Sequence, residues 1–261
     1  MNKTKPLIIA HRGSSANAPE NTLTAFQKAI DEKADGIEFD VRLAKDNVPV
    51  IFHDSTLKRM TEIKRRADDF TADELSRMDV GSWFNLAFPA KSNVEFSIET
   101  IPTFRQILEF LNGYQGTLYV ELKGRRETMP TLVEAVASLI EKSDLQSKII
   151  VKSFKLEAIE IVKNRLPEIR TAALFEPKIL ALLGKKKRLL DEAKRFRADE
   201  ISLHYSMATE KFVRRARENN FSVAIWTANN PKWVRRAFDY GINAVITNYP
   251  AELLKERAEI L

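Results

Sequence analysis

The residues best suited to chemistry are concentrated in one stretch, GIEFDVRLAKDNVPVIFHD, at positions 36–54. Glu38 and Asp40 occupy alternate positions of an apolar run. In a β-strand, residues i and i+2 point to the same face, so the two carboxylates share a side. Like charges that close disfavour folding unless a cation lies between them. After a tight turn at Lys45-Asp46-Asn47, a second apolar run returns and ends at His53-Asp54.

The elements that must hold these groups alternate along the chain. Leu7–Ala10 reads as a strand and Thr22–Lys33 as a helix, with Asn21 or Thr22 as its N-cap. Further strands are predicted at Leu118–Glu121, Ile149–Lys152, Thr171–Leu174, Ile201–His204, Val223–Trp226 and Ala244–Thr247. Helical periodicity falls between them at Thr103–Leu111, Pro130–Glu141, Leu156–Arg165, Lys187–Arg197, Glu210–Asn219 and Pro231–Tyr240, with a last helix at Ala251–Ile260 and a short one at Lys178–Leu183. Three residues cannot make the crossover that parallel strands need. Val48–Phe52 is therefore a hairpin arm rather than a stave. Removing it leaves eight strands, each followed by helical sequence, which in about 250 residues describes an α/β fold, a (β/α)8 TIM barrel. Residues 55–100 interrupt the rhythm with charged turns and the exposed-looking aromatics Trp83, Phe84 and Phe88, and read as an insertion with its own short helices. No linker divides the chain, so residues 1–261 are expected to form one domain.

A barrel of this kind carries its site at the C-terminal ends of its strands. His11-Arg12, Glu38 with Asp40, Glu121 with Lys123, Lys152-Ser153, His204, Trp226-Thr227 and Thr247-Asn248 all fall there, and the arm returns His53 to the same rim. His204 lies in ISLHYS with no acidic neighbour and reads as structural. Glu38, Asp40 and Glu121 supply hard oxygen ligands and no sulfur, which suits Mg²⁺ or Ca²⁺, with Mn²⁺ also accepted. Histidines left out of the ligand set are free to move protons near neutral pH. Arg12 and Lys123 add fixed cations, and a phosphate fits a guanidinium fork plus an ammonium. The combination points to phosphoester cleavage.

Composition narrows the alternatives. Cysteine is absent, so disulfides and thiolate metal sites are excluded. The apolar run Leu7–Ala10 is too short for a signal-peptide core or a membrane span, and a cytoplasmic protein is expected. The net charge of +6 is uneven: residues 1–160 hold 22 Lys/Arg against 24 Asp/Glu, and residues 161–261 hold 20 against 12. The basic half reads first as solvated helix faces, leaving at most weak peripheral contact with an anionic membrane. No nucleic-acid motif accompanies it, and the oligomeric state is left open.

AHRG (10–13), APENT (18–22), residues 36–54, VELK (120–123), VKSF (151–154), IWTAN (225–229) and VITNYP (245–250) together resemble the glycerophosphodiester phosphodiesterase family. The resemblance spans nearly the whole barrel, with the motifs in family order. It implies a divalent metal on Glu38, Asp40 and Glu121, His11 and His53 as the acid–base pair, and Arg12 and Lys123 on phosphate. It also implies a substrate-facing role for the insertion; Phe154 and Trp226 look like an apolar wall beside the leaving alcohol, with a plain core role as the alternative for Phe154. Glu20 matches an acidic rim position that either touches the metal or orients Arg12; the plainer reading is a carboxylate favoured by a helix N-terminus. Two positions depart from the family pattern: Asn248 stands where Asp is common, and Asn47 stands where Gly is usual.

The function so implied is hydrolysis of a small-molecule glycerophosphodiester to sn-glycerol 3-phosphate and an alcohol, with His11 as base and His53 as acid. One rival is lysophospholipase D-like hydrolysis on the same barrel, with the insertion aromatics gripping an acyl chain; packing of the insertion onto the barrel is the preferred role for those aromatics. The other is a non-catalytic barrel that binds phosphoesters or anionic surfaces.

Overall fold

A computed structural model describes residues 4–178 and 187–260. Its centre is a closed sheet of eight parallel strands: β1 (Leu7–His11), β2 (Gly36–Leu43), β4 (Thr117–Leu122), β5 (Ile149–Ser153), β6 (Arg170–Phe175), β7 (Glu200–His204), β8 (Ser222–Trp226) and β9 (Ala244–Thr247). Each pairs with its neighbours in that order, and β1 closes the ring by pairing with both β2 and β9. The remaining strand, β3 (Pro49–Ile51), runs antiparallel to the end of β2, with Arg42 opposite Val50. This is the expected hairpin arm. Its turn residue Asn47 sits at φ 61, a left-handed conformation that Asn tolerates better than most residues.

The outer layer follows from the helical periodicities. Helix α1 (Leu23–Asp31) is capped by Thr22, whose hydroxyl accepts from Ala25 N. It buries Ala25, Phe26 and Ala29 against the sheet. Full burial of a side chain such as Phe26 is worth roughly 1.5–3 kcal/mol. Between β2 and β4 come α2 (Lys58–Thr61), α3 (Ala72–Leu75), α4 (Ser82–Ala87) and α5 (Phe104–Phe110). Then α6 (Met129–Glu141), α7 (Leu156–Arg165), α8 (Lys187–Arg195), α9 (Glu210–Glu218), α10 (Lys232–Tyr240) and α11 (Pro250–Ala258) cover the remaining strands. The short helix expected at Lys178–Leu183 lies, beyond its first residue, outside the described residues. Among the described residues no helix is long and apolar enough to cross a membrane.

Inside the barrel, Ile9, Tyr119, Ile150, Ala172, Ala224, Ala244 and Ile246 fill the lower layers. The barrel is thus a packed core whose polar residues are confined to particular levels. The insertion has an apolar core of its own, in which Leu57, Met60, Leu75 and Val80 pack with Val50, Phe52 and Ile101. The insertion aromatics divide: Phe84, exposed-looking in its charged stretch, is fully buried with Ala18, Ala25 and Phe96 and so packs the insertion onto α1 of the barrel, while Phe88 is 45% exposed. An isolated aromatic in a charged stretch gives no periodic signal of burial, and Phe84 is covered by the 3₁₀ turn at Val94–Ile98 of the same insertion and by α1, which is distant in sequence.

Candidate active site

Barrel closure sets the site by register. The inward face of β2 carries Glu38, Asp40 and Arg42 in succession. Across the ladders His11 lies level with Glu38, Asp40 with Glu121, and Glu121 with Lys152. Carboxylate oxygens of Glu38, Asp40 and Glu121 consequently converge to within 4.8 Å of one another, and all three residues are buried. Among the described residues, buried Glu38 Oε1 and Asp40 Oδ1 meet lysine ammonium groups, Lys152 Nζ at 2.7 Å and Lys123 Nζ at 3.3 Å, with lone pairs left over. Three hard oxygen donors with unfilled acceptor capacity fit a divalent cation such as Mg²⁺ or Ca²⁺.

Cations surround this cluster. Lys123 Nζ contacts Glu121 Oε1 and lies 3.3 Å from Asp40 Oδ1. Arg12 Nε lies 3.1 Å from Asp40 Oδ2, and its Nη1 donates to Glu20 Oε1 at 2.7 Å. Burial by itself raises the Asp40 pKa, yet Lys123 and Arg12 hold its carboxyl well below the usual range. Lys123 is raised in return: burial works against its charge, and Asp40 and Glu121 outweigh that. Arg12 owes its aim to the turn after β1. It sits at φ 56, and Gly13 follows at φ 80, where an added Cβ would come within 2.5 Å of the Ala25 carbonyl carbon. Only glycine lets the turn pass so close to α1.

The two rim histidines are held differently. His11 Nδ1 is 2.7 Å from Asn248 Oδ1, and Ser15 Oγ donates to the same oxygen at 3.1 Å. An amide oxygen only accepts, so His11 donates from Nδ1 and turns the Nε2 lone pair inward, 3.8 Å from Glu38 Oε2. Burial, reinforced by the Arg12 charge, pushes the imidazole down to about 3. His53 is more open. Its Nδ1 lies 2.6 Å from Asp54 Oδ1, and Arg42 donates Nε and Nη2 to its backbone carbonyl at 2.9 and 2.7 Å.

Several contributors were not legible as such in the sequence. Lys152, which reads only as a polar strand end, is 1% exposed and places Nζ 2.7 Å from Glu38 Oε1 and 3.5 Å from Glu121 Oε2. Its signal was a lysine inside the apolar run IIVKS. Asn21, at φ 60, donates to Asp40 Oδ2 at 3.0 Å. Arg59, from α2 of the insertion, donates Nε to Asp54 Oδ2 at 2.7 Å and Nη2 to Glu20 Oε1 at 2.7 Å. A continuous chain of charged contacts, His53–Asp54–Arg59–Glu20–Arg12–Asp40, thus joins arm, insertion and barrel. Glu20 spends its carboxylate on Arg12 and Arg59 and does not join the carboxylate cluster.

Phe154 and Trp226 meet edge to face at 5.3 Å on the rim, with Phe154 40% exposed rather than in the core. His204 packs on Tyr205 and Trp226 and pairs Nδ1 with Ser206 Oγ at 2.7 Å. Among the described residues it makes no contact with the three carboxylates.

Known proteins converge on the same architecture. The model of the glycerophosphoryl diester phosphodiesterase family matches residues 11–252. A glycerophosphodiester phosphodiesterase of Bacillus subtilis is 31% identical over 250 residues, covering 94% of this chain and 84% of that one. Another, from Caldanaerobacter subterraneus subsp. tengcongensis, is 30% identical over 257 residues, covering 96% and 97%. The structure of an Oleispira antarctica phosphodiesterase, in complex with its product sn-glycerol-3-phosphate, superposes with a TM-score of 0.86 at 26% identity and 98% coverage of each chain. Matched along its length by family, relatives and fold, the chain belongs to the glycerophosphoryl diester phosphodiesterase family of phosphoric diester hydrolases.

Proposed function

We propose that the protein hydrolyses glycerophosphodiesters to sn-glycerol 3-phosphate and a free alcohol, in a metal-dependent reaction with His11 and His53 as the acid–base pair. The observation that carries this reading is the buried carboxylate cluster ringed by Arg12, Lys123 and the two histidines at the C-terminal rim. The product held by the Oleispira relative supports the choice of products.

Glu38, Asp40 and Glu121 would hold the divalent cation. When bound, it supplies electrostatic stabilisation of charge on the phosphoryl oxygens. Arg12 presents a fork preset by Glu20 and Asp40, and Lys123 adds a point charge; together they orient the diester and offset the charge that builds in the transition state. His11 is the base. Its proton sits on Nδ1, facing Asn248, so Nε2 is free to take the proton of the nucleophile. His53 is the acid. The Asp54 carboxylate accepts from Nδ1–H and orients the ring, leaving Nε2 to deliver the proton to the departing alkoxide. Phe154 and Trp226 wall the leaving alcohol.

The test is turnover of a panel of glycerophosphodiesters under metal titration, with EDTA as control, on wild type and on His11→Ala and His53→Ala. Each alanine is expected to lower kcat by about 10²–10⁴-fold while circular dichroism shows the fold intact. Near-wild-type turnover in both variants refutes the assignment. Activity confined to lysophosphatidylcholine refutes the substrate class.

A further inference from the structure

The charge chain accounts for the acids near the rim but leaves a group of cations over. Between the end of β2, the insertion and the loop after β4 lies a recess of about 120 Å³. Arg42, Lys45, Arg66, Lys123 and Arg125 line it, against one acid, Asp68; Lys123 is already paired with Asp40 and Glu121, which leaves the other four cations facing Asp68. That acid is shared: Arg66 Nε donates to Asp68 Oδ1 at 2.7 Å, and Arg125 Nη2 lies 3.0 Å from Oδ2. Arg42 spends its Nε and Nη2 donors on the neutral carbonyl of His53. The acids nearest to it are committed elsewhere, Asp40 to Arg12 and Lys123, and Asp54 to His53 and Arg59. Positive charge in the recess therefore exceeds its local compensation, and an anion that displaced water there would meet preset guanidinium donors.

The position of the recess says which part of a substrate would reach it. It shares Arg42, Ser55 and Lys123 with the open cleft that His53 lines. In the proposed mechanism Lys123 binds the scissile phosphate and His53 protonates the leaving group, so the recess lies on the leaving-alcohol side. Resting on that reading, we infer that it is an anion subsite, and that the preferred substrates are glycerophosphodiesters whose alcohol carries a second anionic group, a phosphate before a carboxylate. Two guanidinium forks favour the phosphate, which offers three acceptor oxygens.

The experiment compares kcat/KM for glycerophosphoinositol and glycerophosphoinositol 4-phosphate, which differ by one phosphate on the alcohol. The phosphorylated substrate is expected to be favoured by about tenfold or more, the value of one charge-assisted contact, and the preference is expected to shrink with added salt. Arg66→Gln and Arg125→Gln should each move the ratio toward one. Asp68→Asn should raise it, because two guanidinium groups lose their competing partner; a merely structural role for Asp68 predicts no such rise. Because each ratio is internal to one variant, it is insensitive to the amount of folded enzyme. Hydrolysis of both substrates by wild type at a ratio of one or below overturns the inference while leaving the proposed function standing. Failure to hydrolyse either, or glycerophosphocholine, overturns both. Stimulation of glycerophosphocholine turnover by inorganic phosphate without any preference between the inositol substrates also overturns it, and assigns the recess to a free anion.

Discussion

Lys152→Met removes a buried ammonium while nearly conserving side-chain length, and the consequence can be worked from the contacts. Without a metal, the three carboxylates of the cluster are matched by Arg12, Lys123 and Lys152. Lys152 Nζ stands 2.7 Å from Glu38 and 3.5 Å from Glu121, at 1% exposure. Removing one partner of a buried ion pair costs about 3–5 kcal/mol, because the other charge stays behind unpaired. Each kcal/mol moves Tm by ~2–4 °C in a domain of roughly this size. In EDTA the variant is therefore expected to melt about 6–20 °C below wild type. A divalent cation among the same carboxylates restores the missing charge and no longer has an ammonium beside it. Saturating Mg²⁺ or Ca²⁺ should then raise the variant's Tm by more than it raises that of wild type, and calorimetry should show tighter metal binding by the variant. The assay is thermal denaturation of both proteins with EDTA and with metal. An equal Tm gap in the two conditions refutes the reasoning, since it means that Lys152 and the cation do not compete for the same carboxylates.

Other outcomes follow from neighbouring contacts. Asn248→Asp places a carboxylate where a neutral amide now accepts from His11 Nδ1 at 2.7 Å. An opposite charge at that range raises a pKa by about 1–3 units, so His11, now at about 3, should titrate higher; the acid limb of kcat/KM should move up with it, and an unmoved limb argues against His11 as base. Asp54→Asn keeps an acceptor beside His53 but removes its charge and weakens the tie to Arg59; kcat should fall by about tenfold or more with KM near wild type, the pattern of an interaction made in the transition state. Acid should unfold the protein through the same network. Burial opposes ionisation of Asp40 and Glu20, but Lys123 and Arg12 for the first and Arg12 and Arg59 for the second hold their folded pKa values below the ordinary 3.8 and 4.5. Their stabilisation is thus fully present above about pH 5 and lost as the pH falls, and a Tm that stays flat from neutral pH down to about pH 3 contradicts this.

The hairpin arm shows what local pattern can reveal. A three-residue turn between apolar runs excludes a parallel crossover, so the count of eight staves and one arm follows without coordinates, and the sheet order agrees. Alternation likewise put Glu38 and Asp40 on one face, strand-end polarity put Glu121 and His11 at one rim, and the return of the arm brought His53 there. Lys152 escaped because a lysine ending an apolar run looks the same whether it reaches solvent or turns into a barrel. Arg59 escaped because its partners Asp54 and Glu20 come from separate parts of the rim, and Glu20 lies 39 positions away. Phe84 looked exposed in its charged surroundings, and which residues it packs on, among them Ala25 of α1, shows only in the fold.

The sequence by itself determined strand and helix alternation, the shared face of the β2 carboxylates and the return of His53, because these depend on backbone periodicity and turn length over a few residues. Tertiary structure alone decided which charges pair and where positive charge is left uncompensated. Ring closure sets the register between strands far apart in the chain, and electrostatic energy depends on distances of 3–4 Å across that register, which no one-dimensional spacing encodes.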